Sequence, residues 1–149
     1  MYITDFCNIT SFTDSSPAGI IETITMAGVT VYYEFEFNRG TSTWTESNTN
    51  DPVNGTTVWT QTATLVLNKR ERTKREALAL MLQKDLSVII KDNNGQYWIL
   101  GKESGVWATG IEAVVGTAKT DANNYTVTLV AEEPEEAFPV TEAAVLANI

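Results

Sequence analysis

Alternation of apolar and polar residues constrains the fold of this chain more than any other feature. Residues 29–38, VTVYYEFEFN, alternate without a break, and residues 57–67, TVWTQTATLVL, alternate with only Gln61 interrupting the apolar face. Residues 125–130, YTVTLV, show the same pattern. A period of two is that of a β-strand with one face buried and the other polar. The sequence therefore predicts a mainly β protein.

A long polar connection separates the first two predicted strands. Residues 39–55, RGTSTWTESNTNDPVNG, are rich in Thr, Ser and Asn. A connection of this length in a compact domain is usually functional or mobile. We therefore predict a long β-hairpin over residues 29–67 with a projecting loop, and we expect Trp44 to be exposed in that loop.

One helix is predicted after this hairpin, over residues 70–85. Apolar residues recur there at helical spacing, namely Leu78, Met81, Leu82 and Leu86. A tight hairpin is predicted around residues 93–95, Asn-Asn-Gly, and a further strand around residues 105–115. A short C-terminal helix is predicted over residues 141–148, with Thr141 as its cap.

These elements predict a single domain over residues 1–149. Its expected architecture is mainly β with one packed α-helix, arranged as an antiparallel β-sandwich or open barrel. The long hairpin is expected to project from that domain.

The composition of the chain narrows its possible functions. Among the 149 residues there is no histidine and one cysteine, Cys7. The commonest general base and metal ligand are therefore missing, and an internal disulfide is excluded. No motif for nucleotide binding or nucleophilic hydrolysis is present. We expect no enzymatic activity, no cofactor and no bound metal.

The charge and hydropathy of the chain bear on its partners. A net charge of −9 disfavours a general nucleic-acid binder, because such proteins neutralise phosphates with Lys and Arg. No apolar run approaches the length of a membrane span, so we expect no membrane association.

Two groups of residues leave alternative functions open. Glu34 and Glu36 share a predicted strand face, with Cβ atoms roughly 7 Å apart, which is compatible with a glycosidase carboxylate pair or simply with a solvated face. Trp44 and Tyr32 are the candidates for exposed aromatic contact. They could serve a soluble β-sandwich module that binds glycans, or they could contact a neighbouring subunit.

The basic run, residues 69–75, is the strongest charge asymmetry in the sequence. It carries five of the ten Lys and Arg residues and one Glu, which gives +4, while the rest of the chain carries −13. Its cations are Lys69, Arg70, Arg72, Lys74 and Arg75. Positive charge in the first turn of a helix opposes the helix dipole, and only Glu71–Arg75 and Arg72–Glu76 have pairing distances of four residues. The run is therefore either a contact with another chain or a solvated helix start with internal pairs.

Three stretches of the sequence resemble tail-tube-fold proteins of bacteriophages, most closely those of phages that infect Bacteroidetes, such as the crAss-like group. They are TATLVLNKRERTKREALALMLQKDLSVIIKD, NNGQYWILGKESGVWATG and GTAKTDANNYTVTLVAEEPEEAFPV. The matching residues of the third are Gly116, Thr117, Ala118, Asp121, Asn123, Tyr125, Thr126 and Thr128. Asn124 stands where the family pattern has glycine.

The resemblance implies a virion protein, made in the host cytoplasm, whose subunits form six- or twelve-fold rings. Such rings stack with other tail or neck proteins into a tube through which phage DNA passes without specific binding. The residues expected to face the lumen are Thr30, Glu34, Glu36, Thr60, Thr62 and Thr64. The residues expected at contacts between subunits are Trp44, the five cations of the basic run, and Glu132, Glu133, Glu135 and Glu136.

Overall fold

Two β-sheets packed against each other form the framework of the chain. The computed structural model describes residues 1–15, 19–37, 40–118 and 121–149. The larger sheet contains β1 (Tyr2–Asp5), β2 (Ile9–Ser15), β3 (Ile20–Met26), β4 (Tyr33–Glu34), β7 (Leu86–Lys91), β8 (Tyr97–Leu100) and β11 (Phe138–Val140). The smaller sheet contains β5 (Thr43–Asp51), β6 (Thr56–Asn68), β9 (Trp107–Val115) and β10 (Asn123–Glu133). The helices are α1 (Arg72–Met81), α2 (Glu142–Leu146) and a 3-10 turn at Phe6–Asn8.

The smaller sheet has the order β5-β6-β10-β9, and every neighbouring pair is antiparallel. Its central pair, β6 and β10, is in register from Asn68↔Asn124 to Trp59↔Glu133. Alternate residues of both strands are buried, as the period of two predicted. The strands predicted at residues 57–67, 105–115 and 125–130 are therefore confirmed.

The main core lies between the two sheets and is closed at one end by α1. Side chains of the smaller sheet meet those of the larger one, with Leu65, Val127 and Leu129 packed against Val88, Ile90 and Leu100. Each fully buried Val, Leu or Ile stabilises the fold by about 1.5–3 kcal/mol relative to exposure. The sandwich with one packed helix that the sequence predicted is thus confirmed.

The larger sheet is buried on both faces around its strand β7. Its other face forms a second core in which Ile89 and Ile99 pack with Val145 of α2. This double burial explains why β7 reads as an almost continuous apolar run, with five buried residues in succession. Thr141 caps α2, as predicted, by accepting a hydrogen bond at Oγ1 from the Ala144 N–H at 3.3 Å.

The helix predicted over residues 70–85 is shorter in the structure, because the residues at its two ends have other conformations. Lys69 has a left-handed backbone (φ 62°) and Glu71 is extended, so the helix begins at Arg72. Leu78 and Met81 are buried as predicted. Leu82 is exposed at the C-cap, and Leu86 already belongs to β7.

The hairpin predicted over residues 29–67 is wrong in its first strand. Within residues 29–37 only Tyr33–Glu34 forms a strand, and it pairs with β1 of the larger sheet. The partner of β6 is β5, which lies inside the predicted loop and pairs from Thr43↔Thr64 to Asp51↔Thr56. The alternation of residues 29–37 reflects apolar anchoring instead, since Tyr32 is buried in the second core and Phe35 and Phe37 pack against the first. Asn38 and Arg39 lie outside the described residues.

Gly101 provides a test of how tightly the loop between β8 and β9 is packed. Gly101 and Gly55 both have positive φ (65° and 66°), but a Cβ on Gly101 would lie 2.5 Å from the Gly105 carbonyl carbon, whereas one on Gly55 would meet nothing within 4 Å. We expect Gly55→Ala to lower the free energy of unfolding by about 1–2 kcal/mol, from backbone strain alone. Gly101→Ala should cost roughly 2–3 kcal/mol more, from overpacking.

Urea denaturation measures both variants, and Gly55→Ala is the matched control for backbone strain. Equal losses in the two variants would contradict the close packing of this loop.

Candidate functional site

The outer face of the smaller sheet is rich in hydroxyl groups. This hydroxyl face consists of Thr43, Thr45, Ser47, Thr60, Thr62, Thr64, Thr126 and Thr128, whose side chains are exposed or half-buried. The register places Thr43, Thr64 and Thr128 side by side across three strands. None of the four strands contains Lys or Arg. The face therefore presents hydroxyls without any positive charge from its own strands.

The six residues predicted to face a lumen do not share one surface. Thr60, Thr62 and Thr64 lie on the hydroxyl face. Glu34 lies in β4, at the edge of the other sheet, and the Thr30 and Glu36 positions are outside strands. Thr30 Oγ1 donates to the Ala27 carbonyl at 2.9 Å. The predicted shared face is wrong for these three residues, because it rested on pairing residues 29–38 with β6, and whether any of the six faces a lumen stays a prediction.

The two edges of the smaller sheet are long strands. Among the described residues, no strand pairs with the outer side of β5 or of β9. Both strands have nine residues, and neither contains proline. Long unpaired edges favour pairing with another strand, and the irregular pairing of β9 with β10 between Thr128 and Leu129 is a local feature that blunts one of them.

The basic run is partly satisfied within the chain. Arg72 pairs with Glu76 at 3.0 Å, with its own side chain 90% exposed. Lys74 donates to the Asn68 carbonyl at 2.7 Å and lies 3.7 Å from Glu71. The predicted Glu71–Arg75 pair is wrong, since Glu71 turns to Lys74 instead.

Two other cations of the run have distinct surroundings. The Arg70 guanidinium lies 5.4 Å from the centre of the Tyr125 ring, in cation–π geometry. The side chain of Arg75 forms no ion pair or hydrogen bond among the residues that the structure describes. Internal contacts therefore leave Arg72 and Arg75 exposed, and whether they contact another chain stays a prediction.

Glu133 is not available to a neighbouring subunit. Its side chain is buried and accepts hydrogen bonds from the backbone N–H groups of Glu103 (3.1 Å) and Ser104 (2.8 Å). Burial raises the pKa of its carboxyl group, and these hydrogen bonds partly offset the rise. The prediction of a subunit contact is wrong for Glu133, because its position on β10 points inward. Glu132, Glu135 and Glu136 are exposed.

The aromatic residues predicted to be exposed are not. Trp44 lies in β5 with its side chain against the core, and its ring centre is 5.9 Å from that of Trp98. Its Nε1 is buried and has no hydrogen-bond partner in the described part of the chain. Tyr32 is 3% exposed and its hydroxyl lies 2.9 Å from Ser87 Oγ. Tyr32 is therefore closed to a glycan and to a neighbouring subunit, while Trp44 is half-buried and its contact with another chain stays a prediction.

An aromatic and acidic cleft, which the sequence did not reveal, opens between the sheets at the end opposite the basic run. It has a volume of about 550 Å³, and its walls include Trp59, Trp98, Phe138, Glu135 and Glu136. Trp59 and Trp98 come from different sheets, and residues 134–139 cross between those sheets beside them. Both tryptophans are half-buried.

A buried hydrogen-bond network holds this end of the molecule together. Gln61, the polar residue that interrupts the apolar face of β6, accepts from the Gly101 N–H at 3.1 Å and donates to Glu46 at 3.1 Å. Glu46 also accepts from the Ala137 N–H at 2.8 Å. One buried amide thus ties both sheets to the segment that borders the cleft, and leaving it unpaired would be costly.

Comparisons with known proteins give no family for this chain. No protein-family model matches the sequence, and neither the curated proteins nor the solved structures include a significant match. Within the described ranges, no helix is long and apolar enough to cross a membrane. No group of three or more Asp, Glu or Cys side chains is placed to hold a metal ion in the same ranges.

The buried Glu133 predicts a particular pH dependence of stability. Because its pKa is higher in the folded chain than in the unfolded chain, the folded state binds the proton more tightly. Its contribution therefore favours folding at acid pH and is lost as the pH rises through the folded-state pKa. We expect the urea midpoint of the wild type, relative to Glu133→Gln, to fall as the pH rises above 4.5, the ordinary pKa of a glutamate.

The matched control is Glu132→Gln, at the exposed neighbouring position. A pH dependence no larger for Glu133→Gln than for Glu132→Gln would contradict the raised pKa of the Glu133 carboxyl group.

Proposed function

We propose that this protein is a structural virion subunit that forms rings, and that these rings stack as part of a phage tail tube or neck and give DNA a passage. One observation carries the proposal: the smaller sheet has a cation-free hydroxyl face and two uncovered nine-residue edges. The resemblance in residues 62–92, 93–110 and 116–140 supports the same function. The subunit would act in the virion after synthesis in the host cytoplasm.

The even number of strands in the smaller sheet suits ring closure. Its four strands alternate in direction, so β5 and β9 run antiparallel to each other. In a ring, rotation brings β9 of one copy beside β5 of the next while preserving strand direction. The two edges then meet as an antiparallel pair, which satisfies their free backbone groups. Such a head-to-tail interface closes when the rotation completes a circle.

The width of such a ring fits a DNA duplex. Six copies would supply 24 strands, and a spacing of about 4.8 Å gives a backbone diameter of roughly 37 Å before strand tilt widens it. Twelve copies would give roughly 73 Å by the same spacing. The six-fold ring therefore leaves room for a duplex, its hydration and the side chains of the wall.

The hydroxyl face suits a wall past which DNA must move. Lys and Arg repeated around a lumen would neutralise phosphates and retain DNA. Thr60, Thr62 and Thr64 would face the lumen in this arrangement. Their hydroxyl groups bind water and carry no positive charge that could neutralise phosphates. The proposed protein performs no catalysis, and Glu34→Gln with Glu36→Gln should abolish no hydrolytic activity.

A glycan-binding module is the second candidate function. Its aromatic surface would be the cleft with Trp59 and Trp98 rather than Trp44 and Tyr32, because the cleft has a volume of about 550 Å³, the cavity beside Trp44 has about 260 Å³, and Tyr32 is buried.

The first prediction of this proposal concerns the sheet edges. Thr45→Lys on β5 combined with Val114→Lys on β9 places like charges on the two edges that would meet. We expect the wild type to form closed rings and the double variant to remain monomeric, since charged edge residues block strand addition. Light scattering after size exclusion and negative-stain microscopy measure both.

Asn93→Lys with Asn94→Lys is the control, with the same added charge in the exposed turn between β7 and β8. This control should assemble like the wild type. A wild type that is monomeric at every concentration would count against the proposed function.

The second prediction concerns the wall. Assembled Thr60→Lys/Thr62→Lys/Thr64→Lys should retain linear duplex DNA at about 50 mM salt and release it at about 200 mM. Closed circular DNA cannot thread a preformed ring and should be retained less. Filter retention of the two DNA forms measures the difference.

A control with Lys at Gln83, Asn93 and Asn94 has the same charge outside the hydroxyl face. It should hold linear and circular DNA equally. If Thr60→Lys/Thr62→Lys/Thr64→Lys also retained linear and circular DNA equally, the hydroxyl face would lie outside the lumen.

A further inference from the structure

Opposite charges lie at opposite ends of strand β6. The basic run follows Asn68 directly, while Trp59 lines the aromatic and acidic cleft. Nine residue steps of β-strand separate them, which is about 30 Å. The molecule is therefore polarised along the axis of its smaller sheet.

The cleft has the chemistry of a guanidinium site. Indole rings of Trp59 and Trp98 line it together with the exposed Glu135 and Glu136. Neither glutamate forms an ion pair or hydrogen bond among the described residues. Aromatic faces attract cations, and a carboxylate accepts two parallel hydrogen bonds from one guanidinium. Arginine satisfies both requirements better than lysine, because its planar group stacks as well as forks.

Within the basic run, two arginines are free to reach such a site. Arg70 lies on the Tyr125 ring and Lys74 donates to the Asn68 carbonyl. Arg72 has only its exposed pair with Glu76, which contributes about 0–1 kcal/mol. Arg72 and Arg75 are therefore the side chains that another copy can bind at little cost.

We propose that the cleft of one copy binds Arg72 or Arg75 of a second copy, so that copies stack head to tail along the axis of β6. The proposal rests on the proposed function, for which it supplies the contact between successive rings. The cleft and the two arginines of one molecule cannot bind each other, since about 30 Å separates them. Glu135 and Glu136 are thereby assigned as the acceptor, and Glu133 as support for the wall behind it.

A peptide with the sequence of residues 68–76, NKRERTKRE, tests the cleft on the whole chain without requiring assembly. We expect it to change the tryptophan fluorescence of the wild type at low salt, with an affinity that falls as salt rises. Glu135→Gln/Glu136→Gln should weaken binding about tenfold, the sum of two exposed charge contacts. The control Glu22→Gln/Glu112→Gln removes the same charge elsewhere and should bind like the wild type.

The peptide also separates this site from a simple acidic surface. A peptide with Arg72→Lys and Arg75→Lys keeps the charge but loses the stacking and bidentate bonding of these two side chains, so it should bind more weakly. Equal affinity of both peptides, or no difference between the cleft variant and its control, would overturn the proposal. Quenching by an oligosaccharide mixture but not by the peptide would favour the glycan-binding alternative.

Stacking is tested separately by charge exchange. Arg72→Glu/Arg75→Glu should give single rings that do not stack, and adding Glu135→Arg/Glu136→Arg to the same chain should restore stacks. Negative-stain microscopy distinguishes single rings from tubes. Stacks in the first variant equal to those of the wild type would overturn the proposal, although ring formation itself would stand. If the wild type forms no rings, the proposed function fails, and the peptide titration still decides the cleft.

Discussion

The ten-residue antiparallel pairing of β6 with β10 is the interaction on which the rest of the structure depends. It gives the smaller sheet one face for the core and one for hydroxyl groups. It also fixes what lies at each end, with the basic run after β6 at one end and the glutamate-rich segment after β10 at the other. Loss of register by one residue would exchange the two faces, because side chains alternate.

The polar groups inside the sandwich hold neighbouring backbone segments in place. Gln61 and Glu133 are buried close to the crossing between sheets, and each accepts backbone hydrogen bonds from residues 101–104. Apolar residues at these positions would leave those N–H groups without partners, at about 1–3 kcal/mol each. The loop that they hold, together with Gly101, borders the crossing beside the cleft. The cleft is thus a fixed feature of the fold.

The hydroxyl face, the unpaired edges of the smaller sheet, and the opposite charges of the basic run and the cleft are all compatible with stacked rings. Edge pairing would act around a ring and cleft–arginine contacts along its axis, so that the two contacts use different surfaces of the chain. Each exposed charge contact is weak alone. Every copy in a closed ring repeats the same contact, so the contacts between two rings together would make stacking specific.

The sequence by itself determined the strands at residues 57–67, 105–115 and 125–130, the core helix, the Thr141 cap and the absence of cations from the strands of the hydroxyl face, because these depend on local pattern and composition. Only the tertiary structure decided which strands pair. Residues 29–37 have the clearest alternation, yet they serve mainly as apolar anchors, while the polar β5 takes the place beside β6. It also decided that Trp44 is half-buried against the core, that Glu133 is buried and that Trp59 and Trp98 border a cleft. Pairing and burial depend on residues far apart in the chain, and a period of two reveals which side chains share a face but not what covers that face.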